Sequence, residues 1–103
     1  RLLLGLSTHT LGQVAAAQAL PVDYLGFGPV FASHTKGYDR GVGPERAQVA
    51  AAGSACPVFA IGGIDLERAN ELAPVGRIAV GSALLQAGDP VAAALALRAA
   101  LEA

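Results

Sequence analysis

Four strand–helix units laid into one parallel sheet, the C-terminal half of a (β/α)8 TIM barrel, form the α/β architecture this sequence predicts. Three observations predict it. Short β-rich runs alternate four times with alanine-rich stretches of helical character within 103 residues. The runs are almost continuously apolar, which marks strands buried on both faces, as in a parallel sheet covered by helices. The spacing of roughly 25 residues per unit is the pitch of a (β/α) barrel, which needs eight units and about 250 residues.

The first run is "RLLLGL", Arg1 to Leu6; after "STH" comes "TLGQVAAAQAL", where Thr10 followed by Gln13 reads as a capping box. A turn over 21–23 leads into "YLGFGPVF", and a polar loop from Ala32 to Gly43 reaches "PERAQVAAAG", with Pro44 suited to the first helical position and Gly53 to the stop. The third unit is "PVFAIGG" followed by "IDLERANELA", with Asp65 as cap. The fourth is "RIAVGSALL" followed by "DPVAAALALRAALEA", where Asp89 caps and Pro90 starts the helix. Four parallel strands do not close a barrel and leave two edges unpaired. Half of a barrel, a half that pairs with a copy of itself, and a small open sheet are all open on this pattern. The start at Arg1 instead of methionine favours the first, as part of a longer chain.

Composition narrows the function classes. Hydrophobic residues make up 53% and charged residues 15%, too apolar for disorder and too interrupted by Gly and Pro for a membrane span. A net charge of −1 gives no reason to expect nucleic acid or an anionic membrane as partner. Cys56 is the single cysteine, which excludes an internal disulfide. With no basic stretch, apolar stretch and cleavage site in series, a signal peptide is not expected, and a cytoplasmic location is. Unpaired sheet edges would make self-association a way of covering them.

Every strand run ends in small or polar residues: Ser7, Thr8 and His9; Gly28, then Ser33, His34, Thr35 and Lys36; Gly62 and Gly63; Gly81 and Ser82. Ligands of parallel α/β sheets bind outside the carboxyl ends of the strands, so these groups should meet at one mouth. "AIGGI" and "AVGSA" place bare N–H groups after two successive strands, where the last units of a barrel commonly bind phosphate, with "SALLQ" as a short extra helix. One such loop alone reads as a tight turn; two in consecutive units favour phosphate. Lys36 suits a phosphate or pyrophosphate as a point charge, with flanking hydroxyls as further donors. The loop of about a dozen residues that carries it has the length of a binding element. Arg40 reads either as a second anion contact or as a partner of Asp39 or solvent. His9 reads equally as an acid or base and as a loop-holding histidine. Cys56 beside Pro57 reads as a small buried hydrophobe, and no metal-ligand spacing is present.

"GLSTHT", "YLGFGPVFASHTK", "AIGGI" and "IAVGSALL", in this order and at these intervals, resemble the second half of thiamine-phosphate synthase and of its close relative, thiazole tautomerase. The resemblance covers nearly the entire chain, as one partial-barrel domain over 1–103, and about half of a full family member. It implies that Ser7 contacts a pyrimidine diphosphate and that Lys36 meets the diphosphate. It implies that Ser33, His34 and Thr35 replace a Thr-x-Thr segment holding the carboxylate of a thiazole phosphate, and that Gly63, Gly81 and Ser82 grip the phosphate of that thiazole. The implied reaction joins hydroxymethylpyrimidine diphosphate to the thiazole phosphate, giving thiamine phosphate and pyrophosphate. Magnesium is the implied cofactor, with ligands that are not in this chain.

Two departures qualify these expectations. The family usually has Pro-Thr after "VF", where this chain has Ala32 and Ser33. The magnesium-binding aspartates and most of the pyrimidine pocket belong to the half that is absent here. The 103-residue chain alone is therefore expected to be inactive as a synthase. The rival expectations are the tautomerase, in which the histidine matching His9 is implicated in proton transfer, and a non-catalytic phosphate-ligand-binding domain derived from the same barrel.

Overall fold

In the computed structural model, which describes residues 2–32 and 41–102, strands and helices alternate as the periodicity predicts. The order is β1 (Gly5–Thr8), α1 (Leu11–Ala17), β2 (Tyr24–Phe27), α2 (Pro44–Ala52), β3 (Val58–Ile61), α3 (Leu66–Ala69), a 3-10 turn (Asn70–Leu72), β4 (Ile78–Ala79), α4 (Ser82–Leu85) and α5 (Pro90–Leu101). The four strands lie side by side in sequence order, and all three pairings are parallel. Parallel neighbours cannot be joined by a tight hairpin, so each connection crosses over through a helical segment.

Local chemistry starts the helices. The Thr10 hydroxyl accepts from the Gln13 N–H at 3.0 Å, the Asp65 carboxylate from the Arg68 N–H at 3.1 Å, and the Asp89 carboxylate from the Ala92 N–H at 3.1 Å. Each satisfies one of the donors that a helix start leaves without an intrahelical partner. Pro44 and Pro90 occupy first-turn positions of α2 and α5, where a missing N–H costs nothing.

The core lies between the sheet and these helices. Leu25 and Phe27 of β2 and Val58 and Ala60 of β3 are buried on one sheet face, and Ala17, Ala47, Ala50, Ala69, Leu72 and Leu97 close over them. Alanine at the contact positions of α1, α2 and α3 lets helix axes come close to the sheet, while the large side chains come from the strands. Burying Leu25 and Phe27 contributes roughly 1.5–3 kcal/mol each.

Two features differ from the expectation. The apolar run starts at Leu2, yet β1 starts at Gly5, and Leu2 and Leu3 are exposed. Register explains this. Gly5 to Thr8 pair with Tyr24 to Phe27, and the approach is pinned where Leu4 donates to the Asp23 carboxylate and accepts from the Asp23 N–H, both at 2.7 Å. The strands are also not buried on both faces. Strand alternation puts Ser7, Tyr24, Gly26, Phe59 and Ile61 on the face away from the core cluster. Tyr24 and Ile61 remain 38% and 44% exposed there. Tyr24 and Phe59 meet edge to face at 5.5 Å on that side. Continuous apolarity describes the strands of a closed barrel, whereas four strands cover only one of their faces. No described helix is long and apolar enough to cross a membrane.

Candidate functional site

The carboxyl ends of all four strands open on one cavity of about 500 Å³, lined by Ser7, Thr8, His9, Gly28, Gly62, Gly63, Gly81 and Ser82 among others. These are the described residues that the sequence singled out as strand-end groups, and the fold brings them together. Ser33, His34, Thr35, Lys36 and Arg40 lie outside the described residues. The flanks of that segment are fixed beside the same mouth: Phe31 donates to the Gly62 carbonyl at 3.1 Å, and Val42 and Gly43 donate to the Pro29 and Val30 carbonyls at 2.8 and 2.9 Å.

Register sorts the polar groups after β1. Ser7 and Thr8 are the last two residues of the strand, so they point to opposite faces. Thr8 turns into the core, 1% exposed, and its hydroxyl donates to the Gly26 carbonyl at 2.7 Å, which commits it to the fold. Ser7 is exposed on the cavity side. His9 follows the strand directly. Its backbone N–H donates to Gln13 Oε1 at 2.7 Å, and its Nδ1 lies 2.7 Å from the Gly28 carbonyl oxygen. The capping box is thus shifted: Gln13 reaches back to His9 and not to the cap residue Thr10. The Gly28–Pro29 peptide is cis.

The corner after β3 is shaped by close approach. Gly62 and Gly63 have φ of 107° and 63°, in the left-handed region that favours glycine. A Cβ on Gly62 would lie 2.7 Å from Pro29 Cα, and one on Gly63 would lie 2.9 Å from the Phe31 and Ala32 carbonyl oxygens. The chain after β2 therefore runs against this corner and requires glycine at both positions. Arg68, which no motif singles out, braces it from α3. Its guanidinium donates to the Gly63 carbonyl at 3.3 Å and sits over the Phe31 ring at 5.1 Å.

The corner after β4 is open. A Cβ on Gly81 would meet nothing within 4 Å. Ser82 begins α4, the short extra helix expected from "SALLQ", and no side chain caps it. Its first N–H groups have no intrahelical carbonyl to meet. Two corners with backbone N–H groups and the Ser7 and Ser82 hydroxyls therefore share a cavity, an arrangement that can hold an anion by hydrogen bonds without a fixed cation. The described residues do not fit a magnesium ion: no three His, Cys, Asp or Glu gather among them, and Asp65 and Asp89 are spent as helix caps. Cys56 is half-buried near Ser54, 3.5 Å from its hydroxyl, and does not line the cavity.

The family model for thiamine monophosphate synthase matches residues 1–84. The chain belongs to that family. The thiamine-phosphate synthase of Anaeromyxobacter dehalogenans (strain 2CP-C) is 45% identical over 107 residues, covering 99% of this chain and 47% of the relative. That of Arthrobacter sp. (strain FB24) is 40% identical over 126 residues, covering 97% and 53%. A solved thiamine phosphate pyrophosphorylase from Pyrococcus furiosus superposes with a TM-score of 0.83 at 35% identity, covering 98% of this chain and 49% of that one. The chain thus spans about half the length of these relatives, and its four-unit sheet is part of the barrel-type fold of the family. The second-half resemblance read from the four sequence motifs agrees with this.

Proposed function

We propose that this chain supplies the phosphate-binding side of a thiamine-phosphate synthase site. The observation that carries the reading is the shared cavity, in which Gly62–Gly63 and Gly81–Ser82 face one space together with Ser7 and His9. In this reading Gly63, Gly81 and Ser82 grip the phosphate of a thiazole phosphate through N–H groups and the serine hydroxyl. Ser7 contacts the diphosphate of the pyrimidine substrate, Lys36 neutralises that leaving group, and Ser33, His34 and Thr35 hold the thiazole carboxylate. The pyrimidine-bearing carbon loses its bond to the diphosphate oxygen, pyrophosphate departs with the electron pair, the thiazole nitrogen forms the new bond to carbon with its lone pair, and the ring carboxylate leaves as carbon dioxide, with a proton from solvent taking its place on the ring carbon. Such a step asks for charge stabilisation and close positioning more than for proton transfer. A fixed cage of backbone donors meets that need, because it does not reorganise as charge develops. The partners in this reading are small phosphorylated molecules, and a cytoplasmic location goes with it, since activated phosphate esters of this kind are made and consumed there.

Calorimetric titration of the chain with thiazole phosphate, with and without Lys36→Ala, tests the reading. Thiazole phosphate should bind more tightly than inorganic phosphate, and Lys36→Ala should leave that preference in place, since its contact is with the other substrate. Equal affinity for the two ligands would remove Gly63, Gly81 and Ser82 from the site.

A further inference from the structure

The two edges of the sheet are open and complementary in shape. The Leu4 and Thr8 carbonyls accept from the Asp23 and Gly28 N–H groups, so the alternate residues Gly5 and Ser7 turn their backbone groups outward from β1. The Arg77 carbonyl accepts from the Ala60 N–H, so Ile78 turns outward from β4 in the same way. Along the β1 edge the side chains are apolar, and Leu2, Leu3, Leu4 and Leu6 are all exposed. Beside the β4 edge runs a groove of about 350 Å³ between the strand and α5. Ile78, Val80, Leu84, Leu97 and Leu101 line it among others, and Arg77, Arg98 and Glu102 are its charged members. Leu4 and Leu6 share the helix-covered face of the sheet with Leu25, and Ile78 shares it with Ala60. One edge thus presents apolar side chains, and the other a groove for them on the same face.

We propose that a second copy of this chain covers both edges, related by a two-fold axis, so that two four-strand sheets close one eight-stranded barrel. β1 of each copy then runs parallel to β4 of the other, and Leu4 and Leu6 enter the groove beside Leu97 and Leu101 of the second copy. No edge remains open. A lone added strand, or β1 paired with β1, would cover one edge and leave the other. The area is sufficient. The chain exposes 6537 Å², about 1,200 Å² more than a compact monomer of this size, against roughly 800 Å² per partner in a stable interface. Tyr24, Phe59 and Ile61, on the uncovered sheet face, become barrel interior, which is filled by side chains. A net charge of −1 sets little repulsion against pairing. At the mouth, Ser7 of the second copy comes beside the open Gly81–Ser82 corner, so each site is lined by both copies. The pairing goes beyond the phosphate reading and does not rest on it.

Light scattering after size-exclusion chromatography reads the state of the chain. The parent should elute at twice its own mass at micromolar concentration. Leu4→Lys and Leu101→Glu should each weaken association at least about a hundredfold, because each places a charge in both seams of the dimer. An equal mixture of the two should recover dimers. One seam of the mixed pair keeps Leu4 against Leu101, and the other sets Lys against Glu. Leu95→Lys, on an exposed part of α5 outside the groove, should leave the dimer intact. Leu4→Ala, expected to weaken association about tenfold, replaces a charged variant that fails to fold. A monomeric parent, or an open-ended series of oligomers, overturns the proposal, and a monomer assigns the open face to a different chain segment. A dimer that survives both charged variants, or folded variants that stay monomeric when mixed, overturns the edge pairing.

Discussion

The corners after β3 and β4 carry the same signal in sequence, glycine directly past an apolar strand, and owe it to different physics. At Gly62 and Gly63 the neighbouring chain leaves no room for a side chain and the backbone is left-handed, so glycine is a condition of folding. Around Gly81 the space is empty and φ is −117°, so the fold accepts a side chain there. Side chains differ in the same sense. Asp65 caps the helix after the first corner and Arg68 holds its carbonyl, while α4 starts with no side-chain cap. One corner is filled by its own protein; the other is open.

That contrast is open to direct attack. Gly62→Ala should cost about 3 kcal/mol, from a left-handed residue plus a backbone contact that cannot yield. Urea unfolding measures it, and a loss below about 1 kcal/mol would mean that the corner is soft. Gly81→Ala should lower affinity for thiazole phosphate about tenfold, near 1.4 kcal/mol, by filling the space beside the donors. Its unfolding midpoint should stay within about 0.5 kcal/mol of the parent. A large stability loss there would make the two corners alike. Asp65→Ala should cost about 1 kcal/mol in the same unfolding experiment through the lost cap. Arg68→Ala should have the smallest effect, about 0.5 kcal/mol, because its hydrogen bond and ring contact are both exposed. Its phosphate affinity should fall if the Gly63 carbonyl turns into the cavity, which calorimetry would detect.

The helix starts were legible because their causes are local. Thr10, Asp65, Asp89, Pro44 and Pro90 act within three or four residues of where they stand, and each does what the spacing implies. The parallel sheet was legible too, since continuous apolar runs separated by helical stretches admit few other arrangements. The site was legible only in outline. Ser7, His9, Gly63, Gly81 and Ser82 could be set at one mouth from topology alone. Nothing in "GLSTHT" says that Thr8 turns inward while Ser7 stays outside, because that parity depends on pairing with Gly26 and Phe27 eighteen or more residues away. Arg68 carries no motif, and its contact exists only because Gly63 and Phe31 meet.

By itself, then, the sequence determined the succession of elements, the residues that start each helix, and the strand ends at which chemistry would collect. Those depend on conformational preferences and hydrogen bonds between near neighbours. The tertiary structure alone decided which hydroxyl is committed to the core, which glycines are there for want of room, and which ring nitrogen of His9 is engaged. Each of those turns on the distance between segments far apart in the chain, a quantity that register and packing set and local composition does not encode.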